Sequence, residues 1–408
     1  MQIISSRGSG ALALVAVVCV AGCREGCSSG KAPAVPQQPE TAASQSFDGS
    51  KQTVVLSTGV TVAYVEAGKP GGPVVILLHG FTDTGRSFFP TIQALLDAGT
   101  NLHIFALDAR GHGGSSMPAD EGCAATPERC FEVSDFAADV LAFMDQKNIG
   151  KAHIVGHSMG SLVGQALALA SPDRVESLML IGTFVTGVDN GVIHQFILPQ
   201  IEDTWKNALA QRQGFQWPRD AYLLTPRDAD PGADAWMAQN WVADPVASPD
   251  FLAAIVPDTA TTRLGTWIGA VRNLASLDHR ERLKQITVPT LVIWATQDNL
   301  FPMEPDQAGV RAALDAAVAA CRTSYAFKTY GKQALPKSGA QESDLGHNTH
   351  WGAPEAVAAD IAAWVQTGRP TADLPYADPA NVRKVSVEQG AAEIIEKRPA
   401  EGCTPQAR

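Results

Sequence analysis

The hydrophobic pattern becomes regular at residue 52. Two runs, "TVVLS" and "VTVAYVEA", flank Thr58-Gly59 and predict a β-hairpin. After "GKPGGP" the pattern changes to an uninterrupted apolar run, "VVILLH" (74–79). Strands that are buried on both faces look like that, and they belong to parallel sheets covered by helices. Further short runs follow at "HIFALD" (103–108), "AHIVG" (152–156), "SLMLIG" (177–182), "TLVIWA" (290–295) and "YAFKTY" (325–330). Helical patterns over about 87–97, 132–147 and 159–170 separate most of them. Strands alternating with helices predict an α/β fold with a mostly parallel central sheet flanked by helices.

The alternation stops at residues 183–285. Pro199 is expected to open a helix there, with Ile201, Trp205 and Leu209 on one face at a spacing of four. Helical pieces are also expected over about 232–243 and 259–275. Five tryptophans fall in this stretch: Trp205, Trp217, Trp236, Trp241 and Trp267. The region reads as a helical cap of residues 183–285, inserted into a core of residues 51–182 and 286–367. Most of these tryptophans should form the cap's own core, with one or two left to line a pocket. "PEAVAADIAAWVQ" (354–366) is an amphipathic helix. A Pro-rich polar tail (368–408) follows, with one helical or strand-like piece around 383–396.

The first residues follow different rules. Arg7 precedes "ALALVAVVCV" (11–20), the length of a signal-peptide core and short for a membrane span. "VAGC" (20–23) resembles the lipobox of bacterial lipoproteins. That resemblance implies a signal peptide of residues 1–22 and a lipid-modified Cys23. It also implies an exported protein held on a membrane surface, periplasm-facing or outer-membrane-anchored. Residues 23–50 then serve as a flexible tether, being rich in Ser, Pro, Gln and Ala. In an oxidising compartment the closely spaced Cys123 and Cys130 are expected to form a disulfide. Cys321 with Cys403 is a second candidate pair, and Cys27 is left over. The chain has 408 residues and a formal charge of −11, without a basic run, so nucleic acid is not an expected partner.

Three motifs carry chemistry. "GHSMG" (156–160) follows the strand "AHIV" and opens a helix, which is the context of a G-x-S-x-G nucleophile elbow. The sharp turn lifts Ser158 into the open, and Gly156 and Gly160 remove side chains that would collide across it. Gly160, Gly164 and Ala168 recur every four residues, so one helix face can lie close on the sheet. "HGFTDT" (79–84) and "DARGHGGSS" (108–116) complete the set.

With these motifs, residues 52–367 resemble the α/β-hydrolase superfamily. The resemblance implies a Ser–acid–His order along the chain. Ser158 is then the nucleophile, Asp298 (in "VIWATQDNLFP", beyond a buried strand) the acid, and His347 (in "LGHNTHWG") the base. It implies oxyanion-binding backbone amides at Phe81 and Met159. His79, Asp108, Arg110 and His112 read as ordering the site's surroundings. The implied activity is hydrolysis of a small-molecule carboxylic ester with apolar groups. Lactones, carbon–carbon bond hydrolysis and a non-catalytic envelope role stay open. Epoxide hydrolases and haloalkane dehalogenases need a carboxylate where this chain has Ser158.

His347 and His350 raise the question of a metal. The helical zinc pattern H-E-x-x-H spaces its histidines by four and supplies a glutamate, and this stretch has neither. No metal and no cofactor are expected, and His350 should pack beside Trp351 or support His347. The polar stretch 331–346 between the last core strand and His347 is longer than the resemblance implies, and reads either as a surface insertion or as an edge of the pocket. Oligomeric state is not readable from the sequence.

Overall fold

The computed structural model of the chain describes residues 47–241, 249–334, 342–372 and 393–403. The expected signal peptide, Cys23, Cys27 and nearly all of the expected tether lie outside the described residues. So do parts of the 331–346 insertion and of the C-terminal tail.

Eleven strands are present among the described residues. They are β1 (Gln52–Val55), β2 (Thr61–Gly68), β3 (Val74–Leu78), β4 (His103–Leu107), β5 (Ala152–His157), β6 (Val175–Ile181), β7 (Thr290–Ala295), β8 (Tyr325–Tyr330), β9 (Lys332–Ala334), β10 (Glu342–Asp344) and β11 (Glu393–Lys397). Nine of them form one sheet in the order β1-β2-β4-β3-β5-β6-β7-β8-β11. Pairings from β4 through β8 are parallel, and β1, β2 and β11 join antiparallel. β9 and β10 pair with each other, inside the expected insertion.

The solid apolar runs are explained by burial on two faces. In β3, Val75 and Leu77 pack with Ile92, Leu95, Val357 and Ile361 from helices α1 (Phe89–Asp97) and α7 (Pro354–Thr367). Ile76 and Leu78 point the other way, toward Phe136, Val140 and Leu162 of α2 (Val133–Gln146) and α3 (Met159–Ala170). Each fully buried aliphatic side chain contributes about 1.5–3 kcal/mol relative to exposure. The sheet is thus a rigid floor whose strand ends can hold side chains in place.

Between β6 and β7 the chain is helical, and two expectations need correction. Pro199 does not open a helix. It sits inside a helical stretch from 191 to 210, with wide turns over Ile193–Ile197 and Gln200–Trp205. Proline lacks the N–H for an ordinary helical bond, and wide turns absorb that loss. Ile201, Trp205 and Leu209 are nevertheless all buried, as their spacing predicts. The helix expected over 259–275 is two helices, α4 (Pro249–Thr261) and α5 (Leu264–Ser276). Arg263 has extended backbone (ψ 142°), and Thr262 Oγ1 donates to the Thr82 carbonyl at 3.3 Å, so the chain turns there. The remaining helix that bears on the site is α6 (Ala308–Ala319).

Two disulfides are present among the described residues. Cys123 pairs with Cys130 and Cys321 with Cys403, each with Cα atoms 5.7 Å apart. The second links the end of α6 to the segment after β11.

Candidate active site

The elbow follows from close packing. β5 ends at His157, and α3 begins at Met159. A Cβ on Gly156 would lie 2.2 Å from the Gly160 carbonyl oxygen, and one on Gly160 would lie 2.2 Å from that of Leu78. Only glycine permits that turn. Ser158 at its apex has φ 50° and ψ −118°. A non-glycine residue held there costs about 1–3 kcal/mol, a strain the surroundings must maintain. They do so through hydrogen bonds from Ser158 N to the Ile181 carbonyl (2.9 Å) and from Ser161 N to the Ser158 carbonyl (2.9 Å).

Asp298 lies just beyond β7 and is buried. Its Oδ1 accepts from the amides of Leu300 and Phe301, each at 3.0 Å. Its Oδ2 sits 2.9 Å from His347 Nδ1. The carboxylate is therefore fixed on one side by backbone and aims its other oxygen at the imidazole. Gly182 makes room for that ring, because a Cβ there would stand 3.0 Å from His347 Nδ1. Ser158 and His347 line one cavity.

Phe81 also lines this cavity, and Met159 supplies the first amide of α3. The loop that carries Phe81 is held from several directions. Thr82 has φ 62°. Its Oγ1 accepts from Trp241 Nε1 at 3.0 Å. Asp258 on α4 accepts from Thr84 Oγ1 and from Arg86 Nε, each at 2.8 Å. Asp108 accepts from Gly85 N (2.8 Å) below the loop and from Gly114 N (2.8 Å) in its own turn. Arg110 makes a two-pronged pair with Asp139 at 2.6 and 2.7 Å. His79 and His112 each use both ring nitrogens on backbone groups.

The far side of the cavity is apolar. Phe184, Ile193, Phe196, Trp241, Phe301 and Trp351 line it. Of the five cap tryptophans, Trp205 and Trp267 are fully buried and stack edge to face at 5.0 Å. Trp241 is the one that reaches the cavity wall.

The sequence reading missed two residues at the cavity floor, Asp83 and His157. Both face the cavity, together with His347. Burial pushes the Asp83 carboxyl up to about 7, against a smaller opposing pull from His347. His350, expected near Trp351, is fully buried, with its ring 4.1 Å from that of His157, 4.5 Å from Phe88 and 5.3 Å from Trp351. The "HGFTD" and "GHS" motifs contained both missed residues, but nothing in their spacing pairs them.

Comparison with known proteins agrees with this architecture. Residues 73–307 match a family model described as alpha/beta hydrolase fold. The chain is 39% identical over 127 residues to epoxide hydrolase A of Mycobacterium tuberculosis, a match covering 31% of the chain and 37% of that relative. It is 32% identical over 242 residues, 59% of the chain, to a Variovorax paradoxus protein provisionally named carbamate hydrolase RutD, and covers 79% of it. Among solved structures, a thermophilic esterase from Thermogutta terrifontis aligns over 78% of the chain and 99% of its own, with a TM-score of 0.55 and 18% identity. At that identity the likeness is one of fold.

Proposed function

The chain belongs to the α/β-hydrolase family, and from that premise we propose that it is a serine hydrolase cleaving carboxylic esters with small to medium apolar groups. The observation that carries this reading is the joint placement of Ser158 and His347 on one cavity, with Asp298 2.9 Å behind the imidazole. With Nδ1 paired to Asp298, Nε2 is the nitrogen left to act as the base toward Ser158. Ser158 Oγ attacks the ester carbonyl as His347 takes its proton. Amides of Phe81 and Met159 hold the oxyanion. The imidazolium then protonates the departing alcohol, and water activated by the same histidine releases the acid. The apolar cavity wall favours an apolar acyl or alkyl group.

Three relatives are named epoxide hydrolases. Attack on an epoxide through an alkyl-enzyme ester needs a carboxylate at the elbow, and this chain has Ser158. Lactones share the ester carbonyl and fall within the same chemistry. A fluorophosphonate probe tests the reading: labelling of folded protein that vanishes in Ser158→Ala supports it, and absence of labelling defeats it. p-Nitrophenyl esters of rising chain length, with lactones alongside, then set the preferred substrate. We further propose lipid attachment at Cys23, which rests on "VAGC" alone. Metabolic labelling with a radioactive fatty acid should disappear in Cys23→Ser. Among the described residues no helix is long and apolar enough to cross a membrane.

A further inference from the structure

Four of the buried histidines, His79, His112, His157 and His350, are of two kinds. His79 Nδ1 lies 2.8 Å from the Gly80 carbonyl, and its Nε2 accepts from Ala109 N at 2.9 Å. His112 is likewise engaged at Nδ1 by the Arg110 carbonyl (2.8 Å) and at Nε2 by Thr82 N (3.3 Å). These two rings are saturated braces. His157 uses only Nε2, against the His347 carbonyl at 3.1 Å. Among the described residues, its Nδ1 and both nitrogens of His350 are buried with no hydrogen-bond partner. Buried polar atoms are rarely left that way, and each such group calls for an explanation.

These two rings lie beside a carboxyl group. Asp83, His157 and His350 are 7%, 1% and 0% exposed. One donor atom from each lies within 4.8 Å of the others. Gly80 leaves the intervening space open: a Cβ there would stand 2.9 Å from His157 Nδ1 and 3.3 Å from Asp83 Oδ2. Two imidazoles and one carboxylate form a donor set suited to zinc and its first-row neighbours.

We propose that Asp83, His157 and His350 form a binding site for a divalent transition-metal ion of the zinc type. Asp83 and His157 also line the cavity, which gives the ion an entry route and an open coordination position facing substrate space. A tetrahedral ion with bonds of about 2.0–2.1 Å needs its donors roughly 3.4 Å apart. Donor separations of up to 4.8 Å must therefore shorten by as much as about 1.4 Å. The pair that the sequence singled out, His347 with His350, is not the metal pair, because His347 Nδ1 is engaged with Asp298. The ligands come instead from three separate segments.

The test uses the purified full chain, stripped with a chelator and titrated with Co²⁺. The expected result is one equivalent bound, with visible absorption of a four-coordinate ion that Zn²⁺ abolishes. Asp83→Asn and His350→Gln should each weaken Co²⁺ binding at least tenfold, with folding checked by circular dichroism. X-ray absorption of the Zn²⁺-loaded wild type should show two imidazole ligands, a readout that needs no variant. Failure of folded wild type to bind Co²⁺ would overturn the site and leave a bridging water as the occupant. An oxygen-only shell, or binding unchanged in both variants, would overturn it equally.

Discussion

Two buried polar clusters hang on the same sheet and are built by opposite rules. Near the β8 edge, Lys328 and Asp360 are both fully buried. Lys328 Nζ donates to Asp360 (2.8 Å), to Thr371 Oγ1 (2.8 Å) and to the Thr371 carbonyl (3.1 Å). Asp360 also accepts from Thr371 N, Thr371 Oγ1 and Tyr330 Oη. Each charge has a counter-charge and a full set of hydrogen bonds. At the ends of β5 and β7 the cluster is of the other kind. Ser158 is strained, Asp83 is driven toward neutrality, and three imidazole nitrogens of His157 and His350 lack partners. A saturated network has nothing left to offer a ligand and serves only the fold. The unsaturated one has nitrogens that a ligand can engage.

That contrast can be broken by substitution. The largest effect is expected at the proposed triad. Ser158→Ala and His347→Ala should each lower kcat/KM for a p-nitrophenyl ester by about 10⁴-fold or more with the fold intact. His350→Ala should keep activity within about tenfold, and equal loss at both histidines would remove the distinction drawn between them. The saturated cluster should respond in stability instead. Lys328→Met leaves Asp360 buried and unpaired, and should cost about 3–5 kcal/mol in urea unfolding while folded molecules keep their turnover. Pairing it with Asp360→Leu should recover much of that loss, and no recovery would mean the network does more than neutralise itself. Next come Cys123→Ser and Cys130→Ser, each expected to cost about 2 kcal/mol, read as a lowered Tm. The smallest effect belongs to Asp258→Ala, which loosens the Phe81 loop from α4. A fall in kcat of about tenfold with KM little changed is expected, and a pure KM effect would reassign Asp258 to substrate binding.

Much of the core was legible because its signals are local. A strand buried on both faces must be apolar throughout, so "VVILL" declares both its conformation and its neighbours. The elbow was legible for the same reason, since that turn leaves no room for a Cβ at position 156 or 160. The cap was read less well. Its helices are amphipathic in the expected register at Ile201, Trp205 and Leu209, yet their ends are set by tertiary contacts. The break at Arg263 follows from Thr262 reaching Thr82, which no local pattern encodes. The cluster of Asp83, His157 and His350 was invisible for a stronger reason. Its members are distant in sequence and meet only after β3, β5 and the loop before α7 are assembled. The strand at Glu393–Lys397 was expected only loosely, as a helical or strand-like piece.

That last strand has a consequence for how molecules of this protein meet one another. β8 is buried at all six positions, and without β11 its outer backbone groups would offer a template to any extended chain. β11 occupies the template and brings charge to the new rim, with Lys397 paired to Asp315 at 2.6 Å and Glu396 3.5 Å from Arg369. The Cys321–Cys403 link ties it down. Removing residues 373–408 would therefore be felt first as self-association at high concentration, before any loss of turnover in dilute solution. Protein engineers who shorten this chain or attach it to a surface would do better to leave its final strand in place.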